Sequence, residues 1–140
     1  MPVSLKRLKF IAAQWCRDDP RVKTWELLNE EQRVRLLNLF PLQPGEIPLV
    51  TLLEAPSPLM ISNHRLCWVT GAQAIELDLN QVTAIRPPDK KFDKLRLHTL
   101  IIKTNKSRQY SLELPPGSTC FTIWNLVLRF MRRGLGKSSS

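Results

Sequence analysis

Lysine and arginine are concentrated in one stretch of this sequence, and clustered cations can bind anionic groups. Between Asn80 and Leu112 there are eight cationic residues, and only Asp89 and Asp93 oppose them. All of these cations except Arg96 form the predicted anion-binding set, which comprises Arg86, Lys90, Lys91, Lys94, Lys103, Lys106 and Arg108. The whole chain carries 21 Lys and Arg against 12 Asp and Glu, a net charge of +9. This balance favours an acidic or anionic partner, although a basic surface also serves solubility.

The two halves of this set cannot close on one ligand. The loop 86–94 and the hairpin 103–108 lie at opposite ends of a predicted strand from Leu95 to Lys103, which spans roughly 30 Å. Nucleic acid is disfavoured as a partner, because no aromatic residues alternate with the cations to stack on bases.

Catalytic chemistry has little support in the sequence. The GxSxG, P-loop, GxGxxG and HExxH motifs are all missing. The adjacent carboxylates Asp18-Asp19 and Glu30-Glu31 fall in helical segments, where neighbouring side chains point apart and cannot share a substrate. His64 and His98 have no third ligand at metal spacing. We therefore expect no catalytic residue, no metal site and no cofactor.

Three cysteines, Cys16, Cys67 and Cys120, lie far apart and form no CxxC pair. An odd number of scattered cysteines is typical of reduced thiols in a cytosolic protein. No segment approaches the ~20 continuous apolar residues that a membrane-spanning helix needs. These features predict a cytoplasmic protein.

The first forty residues have helical periodicity. Ser4 is a predicted cap of a helix over residues 4–16, which carries Leu5, Leu8 and Trp15 on one face. A second helical stretch is predicted from about Thr24 to Phe40, in which Asn29 and Gln32 have the spacing of a capping box. We interpret residues 1–41 as an N-terminal helical arm.

After Ile47 the apolar period changes from 3.6 to 2, which indicates strands. Seven strands are predicted, over residues 48–54, 59–62, 66–70, 75–79, 82–86, 95–104 and 110–114. Pro115-Pro116-Gly117 ends the last strand, and an amphipathic helix follows from Thr119 to Arg133. Such a helix must cover an apolar surface of the sheets. We expect residues 135–140 to form a flexible tail.

Three short motifs occupy the centre of the chain. They are Gly45-Glu46, Ile61-Ser62-Asn63-His64-Arg65-Leu66, and Ile75-Glu76-Leu77-Asp78-Leu79 followed by Val82 and Ile85. With the strand 95–104 and the helix 118–133, they resemble the bacterial PH-like and GRAM-like domains over residues 42–134. The sequence departs from the family pattern where Ser62 replaces the usual Thr and where 75–79 lacks a Pro.

The resemblance implies an α+β, mainly β fold, a seven-strand barrel or sandwich capped by the C-terminal helix. It implies no enzyme activity, since family members bind lipid headgroups, peptides or other proteins, or self-assemble. In members that bind phosphoinositides, the loop between the first two strands carries a basic motif, whereas Ala55–Pro58 has no Lys or Arg. Two roles are open for Arg65, contact with an anion or hydrogen bonds that fix a turn, and we favour the second.

We therefore expect a non-catalytic interaction domain that binds a protein partner or a second copy of itself. The apolar residues Leu5, Leu8 and Trp15 are the candidate contacts for that partner. The alternative is peripheral binding to anionic lipid surfaces through the basic loops and the N-terminal amphipathic helix. A small enzyme is the hypothesis that the sequence supports least.

Overall fold

The structure is a computed structural model that describes residues 5–17, 19, 21–53, 58–93 and 95–132. Its helices are α1 (Leu5–Cys16), α2 (Glu30–Leu39) and α3 (Ser118–Arg132), and 3₁₀ turns cover Trp25–Leu27 and Leu79–Gln81. Its strands are β1 (Val22–Thr24), β2 (Pro48–Leu52), β3 (Leu59–Ser62), β4 (Arg65–Thr70), β5 (Gln73–Asp78), β6 (Val82–Arg86), β7 (Thr99–Thr104) and β8 (Gln109–Glu113). The predicted cap Ser4, most of the loop 55–58, Lys94 and the tail 135–140 lie outside the described residues.

The strands form two antiparallel sheets rather than a closed barrel. One sheet has five strands in the order β1-β2-β3-β4-β5, and the other has three in the order β6-β7-β8. Within the described residues no ladder joins β5 to β6, and the 3₁₀ turn Leu79–Gln81 carries the chain from one sheet to the other. The predicted α+β class and C-terminal helix are confirmed, whereas of the predicted barrel or sandwich the closed barrel is wrong. Alternation predicts where strands lie but not which sheet edges pair.

The main core lies between the two sheets and beneath α1 and α3. The fully buried Trp68 from β4 meets Tyr110 from β8 edge to face, with ring centroids 6.2 Å apart. Helix α3 buries a stripe that comprises Cys120, Ile123, Leu126, Val127 and Phe130. Trp124 and Leu128 are only partly buried and pack against this core.

A second cluster covers the opposite face of the five-stranded sheet. Leu36 and Phe40 from the α2 segment pack there on Met60 and Cys67, and all four side chains are buried. The predicted capping box at the start of α2 is confirmed, since the Gln32 backbone N–H donates to the Asn29 side chain and the Asn29 backbone N–H donates to the Gln32 side chain. The five-stranded sheet therefore has apolar side chains packed on both faces.

The N-terminal segment contributes a strand as well as helices. The second helical stretch was predicted from about Thr24, but α2 begins only at Glu30. Thr24 instead ends β1, in which Val22 pairs with Leu52 along the edge of β2. Leu8, Ile11 and Val22 belong to the same buried cluster as the sheet residues. Pairing with a distant strand overrides the local helical periodicity here.

Candidate interaction surfaces

A groove runs between α1 and α3, and we call it the α1–α3 groove. Its volume is about 700 Å³, and it is lined by Gln14, Trp15, Leu95, Gly117, Ser118, Phe121, Thr122 and Arg129. Most of these residues lie outside the sets predicted from the sequence. Only Trp15 was a candidate contact residue.

Helix periodicity explains how α3 forms one wall of the groove. Ser118, Phe121 and Arg129 are separated by three and eight residues, so they lie on one side of a 3.6-residue helix. At 1.5 Å per residue this wall is about 16 Å long. At its far end the guanidinium of Arg129 lies 4.8 Å from the centre of the Trp15 ring on α1. The cation therefore covers an aromatic face that would otherwise be open.

The loop 87–98 closes the other end of the groove. The Asp93 carboxylate accepts a hydrogen bond from the Leu95 backbone N–H at 2.9 Å, and Gly117 donates to the Leu97 carbonyl at 2.9 Å. Gly117 has a φ of +90°, which suits glycine, and a Cβ there would meet the Leu95 carbonyl at 3.4 Å. These contacts hold the Leu95 side chain outward, where it is 82% exposed.

An aromatic cluster supports the same loop from below. The Trp124 indole donates a hydrogen bond to the Ile85 carbonyl at 3.0 Å. Its ring meets Phe92 and Phe121 edge to face, with centroids 5.8 and 5.4 Å apart. The loop that carries Lys90 and Lys91 is thereby attached to α3.

The predicted cations fall into separate groups. Arg86 and Lys103 share the outer face of the three-stranded sheet. Arg86 on β6 pairs with Ile101 on β7, and Lys103 is two residues further along β7, so its side chain lies on the same face as that of Ile101. Lys90 and Lys91 follow β6, whereas Lys106 and Arg108 lie in the hairpin at the other end of β7. Six strand residues span about 20 Å. The structure thus brings together Arg86 and Lys103 but not the loop and the hairpin, and an anion contact stays a prediction.

The candidate contacts on α1 face the chain's own core. Leu8 is 2% exposed, and Leu5 and Trp15 are partly buried against the same cluster. Of the three, Trp15 also lines the α1–α3 groove. A partner could therefore reach Trp15 without moving α1.

Arg65 is held in a buried network at the start of β4. Its guanidinium contacts both oxygens of Glu46 at 2.7 Å, Glu76 at 2.5 Å and the Pro41 carbonyl at 2.9 Å. The Ser62 hydroxyl donates to Glu46 at 2.6 Å. Since these contacts occupy every guanidinium nitrogen, Arg65 fixes the turn and does not present its charge to a ligand.

No family model and no curated protein matches this chain. The fold is similar to the crystal structure of the C-terminal domain of an unknown protein from Leishmania infantum, with a TM-score of 0.51 and 16% sequence identity. The likeness covers 71% of this chain and 97% of that one. At this identity the likeness concerns the fold alone.

The three cysteine side chains are buried. Burial raises the pKa of Cys16, Cys67 and Cys120 to about 12 in each case, so their thiolates are scarce near neutral pH. Among the described residues, no three His, Cys, Asp or Glu side chains could hold a metal ion. In the same part of the chain, no helix has the length and apolar character to cross a bilayer.

The groove residues escaped sequence reasoning for a physical reason. Leu95 fitted the alternation of a strand, but β7 begins only at Thr99, and Leu95 lies in the preceding loop. Phe121 and Arg129 lie on the side of α3 away from its buried stripe, and no local signal shows that α1 borders that side. A sequence feature that could have indicated the groove is Leu95, a large apolar residue that follows shortly after Asp93 in a loop.

Proposed function

We propose that this chain is a non-catalytic interaction domain that binds a segment of a protein partner in the α1–α3 groove. The observation that carries the proposal is Leu95, an apolar side chain 82% exposed at the rim of a groove that Trp15 and Phe121 line. Exposed apolar surface beside a concave site is typical of binding surfaces.

The order of the elements supports a PH-like type for the domain. Strands β2 to β8 followed by α3 have the succession that the motifs around Glu46 and Arg65 suggest. In this proposal α1 and β1 are additions to a PH-like core. The addition matters for binding, because α1 supplies Trp15 and thus one wall of the groove.

Charge favours a partner that is acidic over a second copy of the chain. Two copies would each bring a net charge of +9, and like charges oppose association. Arg129 lines the groove, and the exposed Lys90 and Lys91 lie in the loop that bounds it. A partner carboxylate near these cations would gain from complementary charge.

The dimensions of the groove suit a short segment. A wall of about 16 Å matches about five residues of extended chain or three turns of helix. We expect the segment to place an apolar side chain between Leu95 and Phe121 and a carboxylate beside Arg129. In peptide recognition a buried apolar side chain commonly supplies most of the affinity, and charged groups around it add specificity.

A displayed library of random short peptides tests the proposal without knowledge of the natural partner. Selected peptides are titrated into the ¹⁵N-labelled full chain, and the four tryptophan indole N–H signals are followed. We expect the Trp15 signal to shift, because its ring lines the groove, and the Trp25 signal to stay in place. Selection should enrich sequences that combine Asp or Glu with a large apolar residue.

A pair of matched variants decides where the peptide binds. Leu95→Asp should weaken binding at least about tenfold, because it puts a charge at the apolar anchor. Leu27→Asp changes a side chain that is also highly exposed, at 71%, but does not line the groove, and should leave affinity unchanged. Equal binding by the two variants, or a library that yields no binder that shifts Trp15, would overturn the proposal.

A further inference from the structure

The apolar face of helix α1 packs against the core. The opposite face is exposed to solvent and carries no acidic residue. Its sequence LKRLKFIAAQWC contains no Asp or Glu, and its buried residues are Leu8, Ile11, Ala12 and Cys16. The exposed residues of the helix and its last turn are Lys6, Arg7, Lys9, Phe10, Ala13, Gln14 and Arg17. The outward face is thus cationic with one large aromatic residue.

Phe10 lies in the middle of this face. Its side chain is 64% exposed, although phenylalanine is among the residue types most often buried. Lys6 precedes it by four residues and Ala13 follows by three, with Arg17 four residues further on, so these residues form one line along the helix. We call Lys6, Phe10, Ala13 and Arg17 the α1 crest.

A depression lies on each side of Phe10. On one side of it, Gln14 lines the α1–α3 groove. On the other, Lys9 and Ala13 line a second cavity of about 200 Å³ against the Trp25–Leu27 turn and α2. Phe10 lines neither cavity, and an exposed side chain between two depressions suits a flat partner better than a concave one.

We propose that the α1 crest docks on an anionic lipid surface. Phe10 enters the interfacial region of the bilayer, while Lys6 and Arg17, about 16 Å apart along the helix, contact anionic headgroups on either side of it. Lys9 adds less, because Glu26 lies 3.3 Å from its ammonium group. The apolar face of α1 stays in the core throughout, so docking requires no unfolding of the helix.

This docking mode differs from that of an amphipathic helix that inserts its apolar face. It also does not depend on the α1–α3 groove, because Leu95 and Phe121 take no part in it. Lipid docking and peptide binding would use adjacent but separate surfaces, and each can fail without the other.

Sedimentation of the full chain with vesicles tests the proposal. We expect binding to vesicles of phosphatidylserine and phosphatidylcholine at low salt, loss of binding as NaCl is raised, and no binding to pure phosphatidylcholine vesicles. Lys6→Glu with Arg17→Glu should weaken binding at least about tenfold, and Phe10→Ala should weaken it several-fold.

Two matched controls distinguish binding through the α1 crest from binding that depends only on the positive net charge of the chain. Lys23→Glu with Arg35→Glu makes the same change in net charge at two exposed positions outside α1, and Leu27→Ala removes an apolar side chain of similar exposure. Both should bind vesicles nearly as the unmodified chain does. The proposal is overturned if the change at Lys23 and Arg35 weakens binding as much as the crest pair, or if the unmodified chain does not sediment with anionic vesicles.

Discussion

The guanidinium of Arg65 and the carboxylate of Glu46 form a two-point ion pair inside the protein. Nε lies 2.7 Å from one carboxylate oxygen and Nη2 lies 2.7 Å from the other, and the two side chains are 4% and 0% exposed. The pair joins the turn before β2 to the first residue of β4. Planar bidentate geometry of this kind requires arginine rather than lysine.

Loss of one member of this pair should strongly destabilise the fold. Arg65→Met leaves the Glu46 carboxylate buried without its counter-ion, and we expect the free energy of unfolding to fall by about 3–5 kcal/mol. Urea unfolding followed by circular dichroism measures it. Arg96→Met is the control, because the Arg96–Asp93 pair is 88% and 56% exposed and should contribute less than about 1 kcal/mol. Similar losses for both variants would contradict the structural role given to Arg65.

The same pair makes stability depend on pH. Burial alone would raise the pKa of Glu46, but hydrogen bonds from Arg65, Ser62 and Gln43 outweigh it and hold that pKa below its ordinary value. A carboxyl group whose folded pKa is depressed stabilises the fold above its unfolded pKa of about 4.3, and this stabilisation is lost as pH falls through the folded value. Urea titrations below about pH 5 should show a smaller loss of stability for Glu46→Gln than for the unmodified chain. Equal losses would rule out Glu46 as a source of the acid sensitivity.

Helix α3 should contribute to stability through its buried stripe. Phe130 is fully buried, and Phe130→Ala should lower the free energy of unfolding by about 3–5 kcal/mol. Leu128→Ala is the matched comparison, because Leu128 lies two residues earlier and is only partly buried. We expect it to lower the free energy of unfolding by about 1–2 kcal/mol. Thermal and urea unfolding measure both. A smaller loss at Phe130 than at Leu128 would contradict the orientation of the helix.

Removal of residues 1–41 should prevent cooperative folding. The truncated chain would lose β1 from the edge of β2, and with it the buried side chains Leu8, Ile11 and Val22 and the cover that Leu36 and Phe40 give to the sheet. Exposed apolar surface of this extent favours aggregation. Circular dichroism and light scattering check the result. A soluble truncated chain with a sharp unfolding transition would show that residues 42–134 fold alone.

The cysteines should be inert until the protein unfolds. With pKa values of about 12 and buried sulfur atoms, Cys16, Cys67 and Cys120 should resist iodoacetamide under native conditions at mildly alkaline pH. Mass spectrometry should show three added groups after treatment in urea. Rapid modification of one cysteine in the folded chain would reveal local opening around it.

Local patterns predicted the elements well. Each of the seven predicted strands has an observed counterpart, and the predicted helix 119–133 matches α3 to within a residue at its start. Alternating apolar residues and the Pro115-Pro116-Gly117 break carry this information within a short window. The capping box at Asn29 was equally local, and it is present as predicted.

Long-range relationships were beyond the reach of the sequence. The pairing of β1 with β2, in which Val22 lies opposite Leu52, was not predicted, and nothing near Val22 signals that partner. The α1–α3 groove depends on a contact between Trp15 and Arg129, which lie on the first and last helices. The motif around Arg65 did point to the buried network, because a polar residue at a strand start needs partners.

The contact between α1 and α3 also constrains how the protein is made. Translation delivers α1 first, and about 100 residues separate its end from the start of α3. Helix α1 can pack on β1 and β2 once those strands are made, but its contact with α3 must wait until α3 has left the ribosome. The side of α1 that faces α3 therefore stays uncovered while the strands between the two helices are synthesised.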